Sequence, residues 1–245
     1  IHEGRLIRTP QRRSAFAISA AGAPLIAVYQ LEMGVLTSRG EELRASGFNR
    51  EPDRGELVVF NHYARAWRDS VRAARGFLLR GLEGNSIVNG AVTARVQQVR
   101  RRAWPLVLDP GQWLLAAGPD YAAAAGIAPG DTVRLYGRLP PARDALVEAI
   151  GGGPRILRDG AISVEVEKER LSRTFADERH PRTAIGYSQN GQVLFLVVVD
   201  GRQPGYSVGM SLAELAEFMR LRLADFALAR ENAYQALNLD GGGSA

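Results

Sequence analysis

The stretch Ile185-Gly186-Tyr187-Ser188-Gln189-Asn190-Gly191-Gln192-Val193-Leu194-Phe195-Leu196-Val197-Val198-Val199-Asp200-Gly201 decides how the chain is read. Asn-Gly is the strongest short signal for a two-residue hairpin turn, so Asn190-Gly191 predicts two antiparallel strands. The unbroken apolar run from Val193 to Val199 predicts a central strand buried on both faces. Asp200-Gly201 then marks where that strand leaves the sheet. Downstream, Ser211 and Glu214 have the spacing of a capping box. Leu212, Leu215, Ala216, Met219 and Leu223 follow as one apolar stripe, predicting a helix that runs to about Arg230. Ala236 to Leu239 predicts a short strand that delivers Asp240 to Gly241-Gly242-Gly243-Ser244.

Upstream the pattern is one of short strands. Phe16 and Ile18, then Leu25, Ala27 and Tyr29, flank Gly22-Ala23-Pro24 as a hairpin. Residues 38–55 are polar and glycine-punctuated, and read as a loop around Phe48. Leu57 to Phe60, Phe77 to Leu79, 87–99 and Trp113 to Ala117 give further strands, and Asp120 to Ala125 a short Ala-rich helix. Gly151-Gly152-Gly153-Pro154 cannot be the interior of a regular strand. It is equally readable as an unusual turn or as a loop that lets a ligand approach the backbone. The whole predicts an α+β protein: a single mixed α/β domain over residues 1–245, with a largely buried β-sheet flanked by a few helices.

Composition sets the outer bounds. An apolar fraction of 46% and a charged fraction of 23% are ordinary globular values, so wholesale disorder is not expected. The net charge of +5 is almost all arginine, because Lys168 is the sole lysine. Arginine- and alanine-rich text of this kind reads as coding bias. Its densest cluster, Arg100 to Arg102, reads as a solvated turn or strand end, so no nucleic-acid partner is expected. The chain has no cysteine, which removes disulfides and thiolate metal sites. No apolar run approaches the length of a membrane span. The three histidines have no metal-motif spacing, and neither a P-loop nor a G-x-S-x-G elbow is present.

Two aspartates, Asp200 and Asp240, each end an apolar strand and precede glycine. Carboxylates on one rim suit glycoside hydrolysis, one acting as acid and the other as base or nucleophile, and equally suit a hard divalent cation. No other cofactor follows from the residues. Arg182 and Arg202 have the chemistry to clamp a phosphate bidentately. The N–H groups of Gly241 to Gly243 suit an anion-binding concavity. Each Asp-Gly pair by itself can equally be a simple turn; several framed by arginines point to an anionic, phosphorylated ligand.

Gly151 to Pro154 with Asp159-Gly160, His180-Pro181-Arg182-Thr183 with Gly186, Asp200-Gly201-Arg202, Ser207-Val208-Gly209-Met210 and Asn238 to Ser244 occur in one order. In that order they resemble the phosphodiester glycosidase family. The resemblance is best over 113–244. It implies hydrolysis of a sugar joined through its anomeric carbon to a phosphodiester, on a cell-envelope or exported glycan. It assigns Asp200 and Asp240 as catalytic carboxylates and Arg182 and Arg202 as phosphate ligands. Substrate contacts fall to Thr183, Ser207, Gly209, Asn238, Gly152, Gly153, Gly241, Gly242, Gly243 and Ser244. The alternatives left open are a non-catalytic glycan-binding protein and a metal-dependent phosphodiesterase. An early family segment is missing and the glycine cluster closes the chain, so the sequence reads as a domain cut at both ends. The family likeness also implies a secreted or cell-envelope location.

Overall fold

A computed structural model describes residues 1–10, 12–66, 70–101, 104–105 and 107–239. Asp240, Gly241 to Gly243, Ser244 and Arg102 therefore lie outside the described residues. Two compact units emerge, each assembled from two separate segments: 1–10 with 30–148, and 11–29 with 149 onward.

The strands in chain order begin with β1 (Ser14–Ser19) and β2 (Pro24–Val28). Then come β3 (Glu32–Thr37), β4 (Glu42–Ala45), β5 (Gly47–Phe48), β6 (Leu57–Phe60) and β7 (Ser70–Val71). They are followed by β8 (Arg75–Glu83), β9 (Gly90–Arg101), β10 (Trp104–Pro105), β11 (Gln112–Ala117) and β12 (Thr132–Arg138). The last are β13 (Leu146–Gly151), β14 (Arg155–Arg158), β15 (Ala161–Ile162), β16 (Arg182–Tyr187), β17 (Leu194–Val199) and β18 (Gln235–Leu239). The helices are α1 (Arg173–Asp177), α2 (Leu212–Leu221) and α3 (Leu223–Phe226).

Strand makes up 42% of the chain and helix 12%, which overturns the expected α+β class: the protein is mostly β. Part of the difference lies in 38–55. This stretch looked like a loop, but its alternation of exposed Glu42 and Arg44 with buried Leu43 and Ala45 is strand periodicity. The Ala-rich segment near 120 forms only a 3-10 turn over Ala122–Gly126.

In the first unit an eight-stranded sheet has the order β4-β3-β12-β9-β8-β11-β6-β5. Only Ser46 separates β4 from β5, and its N–H donates to Leu57 O. One segment of chain thus supplies both edges, and the sheet rolls up on itself, which hides the edges that an open sheet would expose. Phe48, Phe77, Leu79, Leu115 and Leu135 are fully buried in this unit, and Phe48 meets Trp113 edge-on at 6.3 Å.

The second unit is a layered structure around a five-stranded sheet of order β15-β14-β18-β16-β17. One face carries Ala184, Phe195, Val197 and Ala236, which pack against Leu212, Leu215, Ala216 and Met219 of α2. The other face carries Ile185 and Leu237, covered by Phe16 of β1 and Ile26 of β2. The α2 start is as its sequence predicts: Glu214 N–H donates to Ser211 Oγ and Ser211 N–H to Glu214 Oε2. Its end is earlier than Arg230, because the chain breaks at Arg222 and resumes as α3.

β17 also corrects an expectation. It pairs only with β16 and is an edge strand, not a central one. Phe195 and Val197 are buried, but Leu196 and Val198 are 72% and 75% exposed. A continuous apolar run carries no alternation from which its outward row can be told apart.

Candidate active site

Strand register builds the site. β16 opposes Arg182 to Val199 of β17 and Thr183 to Leu239 of β18, so the start of β16 and the ends of β17 and β18 share one rim of the sheet. Asp200 sits on that rim directly after β17. It is exposed, and one carboxylate oxygen lies 3.4 Å from the Tyr206 hydroxyl. The loop that follows folds back tightly. Ser207 Oγ donates to Asp200 O at 2.6 Å, Gly209 N–H donates to Ser207 Oγ, and the backbones of Gln203 and Ser207 exchange hydrogen bonds. His180 and Met210 then pair as a β-bridge, which brings the loop beside the start of β16.

Gly209 is required at this crossing. Its φ is +87°, and a Cβ there would run into the carbonyl of His180. Gly209→Ala is expected to cost about 2–4 kcal/mol from the left-handed backbone and the displaced carbonyl. Urea denaturation measures this, and an unchanged midpoint would show that the crossing is looser than described.

Arg182 is buried and faces inward from the rim. Its Nε donates to Met210 O at 2.9 Å and its Nη2 to Phe175 O and Glu178 O, both at 2.8 Å. Its guanidinium also lies over the Phe175 ring, 4.8 Å from the centroid. In this arrangement Arg182 fastens α1 and the 210 loop to the sheet. Burial, and secondarily the nearby Arg202, pull its pKa below the ordinary arginine value. Arg202 is exposed, with a left-handed φ of +57°. Thr183 is half-buried on the face opposite Arg182.

The glycine loop reaches the same rim from the other side. Gly153 N–H donates to Asn238 O, and Asn238 Nδ2 donates back to Gly153 O. A Cβ on Gly152 would lie 2.6 Å from Asn238 O. Asn238 is buried, and among the described residues its Oδ1 has no hydrogen-bond partner. Among the sequence candidates in the described residues, Asp200, Arg202, Ser207 and Gly209 gather at one end of the rim. Gly152, Gly153 and Asn238 gather around the end of β18.

The sequence reading missed Glu169. It is one of several charges between Glu165 and Arg173, yet it is only 2% exposed. Its carboxylate accepts from Ser14 N–H and Ser14 Oγ of β1 and from Arg155 N–H of β14. The position of a Gly153 Cβ would lie 2.7 Å from it. Glu169 thereby fixes the glycine loop between two strands. No single-residue pattern betrays a buried carboxylate of this kind. Tyr206 was also missed as a neighbour of Asp200.

A groove of about 620 Å³ runs from this rim along β17. Asp200, Tyr206 and Ser207 form its polar end, and Val197, Val199, Met210, Phe218 and Leu223 form apolar walls. Its size is within the range of small-molecule sites. Among the described residues no cluster of three or more metal-ligating side chains occurs, and no helix is long and apolar enough to cross a membrane.

Two solved structures share the fold. A hypothetical protein from Synechocystis is 22% identical with a TM-score of 0.67, over 98% of this chain and 42% of its own. A protein of Burkholderia pseudomallei K96243, described as a candidate exported protein, is 22% identical with a TM-score of 0.63, over 99% and 54%. The chain thus spans about half the length of these relatives. The catalytic domain of zebrafish N-acetylglucosamine-1-phosphodiester alpha-N-acetylglucosaminidase, auto-inhibited by its pro-peptide, aligns over 100% of this chain and 74% of its own. It does so at 16% identity and a TM-score of 0.33. No curated protein matches the chain. The sequence model of the phosphodiester glycosidases, however, matches residues 85–245, well over half of the chain and all of the rim just described. The chain belongs to the phosphodiester glycosidase family.

Proposed function

We propose that the protein hydrolyses the sugar–phosphate linkage of a glycosyl-1-phosphodiester, on a glycan of the cell envelope or an exported polymer. The observation that carries this reading is the placement of Asp200 at the polar end of a substrate-sized groove, on the rim that the family match covers. The exported description of the Burkholderia relative supports the location.

The leaving group shapes the chemistry. A phosphate monoester has a second pKa of about 6, so it departs from the anomeric carbon with little need of protonation. What it needs is compensation of negative charge, which Arg202 supplies at the rim. Asp200 then serves as general base or nucleophile, with Asp240 as the second carboxylate. Water oxygen joins the anomeric carbon, the bond from that carbon to the phosphate oxygen breaks, and the phosphate keeps that oxygen. Arg182 acts by holding the 210 loop, and Asn238 by holding the glycine loop.

Turnover of a glycosyl-1-phosphodiester in ¹⁸O-water tests this. The label is expected on the sugar hemiacetal. Label on the phosphate would mean cleavage at phosphorus and a phosphodiesterase instead. Saturable binding with no turnover would mean a glycan-binding protein.

A further inference from the structure

The first unit carries a second concave surface that the reaction above does not use. It is a groove of about 1350 Å³ on the eight-stranded sheet, across β4, β3 and β12. Arg44, Arg134, Arg138 and Arg143 line it, together with Tyr136, Glu32 and Glu42. Among the described residues none of these four arginines makes an ion pair, although all four are exposed. Their charge is therefore not spent inside the protein.

Register shows how the floor is made. Gly34 of β3 is paired with Arg44 on one side and with Tyr136 on the other. Because Gly34 has no side chain, the Tyr136 ring lies across it, in the space a Cβ would take, and its hydroxyl donates to Glu42. The result is a flat aromatic surface pinned at its far end. Arg44 stands about 10 Å away across two strand spacings, and Arg134 and Arg138 are about 13 Å apart along β12. The loop bearing Arg143 is fixed as well, because Asn89 Nδ2 donates to Ala142 O and Asp144 O while Leu139 N–H donates to Asn89 Oδ1.

We propose that this groove is a second carbohydrate site, which takes an anionic glycan chain laid over Tyr136 with its acidic groups on Arg44, Arg134, Arg138 and Arg143. Sugar rings present apolar faces that stack on an aromatic ring, and guanidinium groups pair with carboxylate or phosphate in a fork. Glu32 and Glu42 favour a glycan over a nucleic acid. A carboxylate accepts hydrogen bonds from the several hydroxyls of each sugar ring, which the phosphodiester backbone of DNA does not offer.

The test is titration of the intact chain with a fluorescent oligogalacturonate, neutral dextran and oligothymidylate. Saturable binding of the oligogalacturonate alone is expected. Arg134→Gln/Arg138→Gln and Tyr136→Ala should each weaken it by about tenfold or more. Arg220→Gln/Arg230→Gln, which removes the same charge from the second unit, should leave it within about twofold. Failure of the wild type to bind, equal weakening in the Arg220/Arg230 control, or tighter binding of oligothymidylate would each overturn the proposal. Hydrolysis of a small glycosyl-1-phosphodiester is expected to be unchanged in the groove variants, so a missing glycosidase activity and a missing glycan site are told apart.

Discussion

Asp200→Asn is expected to lower kcat on a glycosyl-1-phosphodiester by about 10²–10⁴-fold, the usual contribution of a positioned acid or base. KM should change little, because the amide keeps the carboxylate's shape and its contact with the Tyr206 hydroxyl. The substitution is made on an exposed side chain after the end of β17, so the melting temperature should stay near that of the parent. That combination separates chemistry from folding. A variant with near-parental kcat would remove Asp200 from the reaction and leave the rim as a binding surface.

The largest effect on stability is expected at Glu169. Replacing it by Ala removes the acceptor for Ser14 N–H, Ser14 Oγ and Arg155 N–H at once, at a side chain only 2% exposed. Each stranded donor costs about 1–3 kcal/mol, so the three together predict a loss of about 3–9 kcal/mol. Glu169→Gln should lie between, since it keeps one acceptor oxygen but turns an amide N–H₂ toward donors. Equilibrium urea denaturation reads both. Equal midpoints for wild type and Glu169→Ala would show that β1 and the glycine loop are held by packing alone.

Much of the second unit was legible because its signals are local. Asn190-Gly191 signalled the β16–β17 hairpin, although its loop is longer than the two residues expected, with Gly191 N–H donating to Ser188 O and Ser188 N–H to Val193 O; Ser211 with Glu214 started α2. The ordered motifs from Gly151 to Asn238 likewise pointed to the family, since they preserve spacing as well as type. Non-local choices were not legible. Whether β17 lies inside the sheet or at its edge depends on what pairs beyond it, which no property of Val193 to Val199 encodes. For Arg182 the charge is legible but its packing is not. Its three carbonyl partners, at Phe175, Glu178 and Met210, come from segments brought together only by folding. The barrel-like closure of the first unit was missed for a similar reason, because it depends on residues 42–48 pairing with two strands distant from each other in the sheet.

The hairpin β1–β2 has a consequence for how the protein is made. It covers Ile185 and Leu237 in the second unit, yet everything it packs on there is encoded after residue 148. On a ribosome adding about 5–20 residues per second, Phe16 and Ile26 emerge on the order of ten seconds before β14 and β16 exist to receive them. Two strands alone are marginal in water, so during that interval the hairpin is a greasy, unpaired leader preceding a unit that cannot yet close. Slower translation would lengthen the time this apolar hairpin spends without its partners.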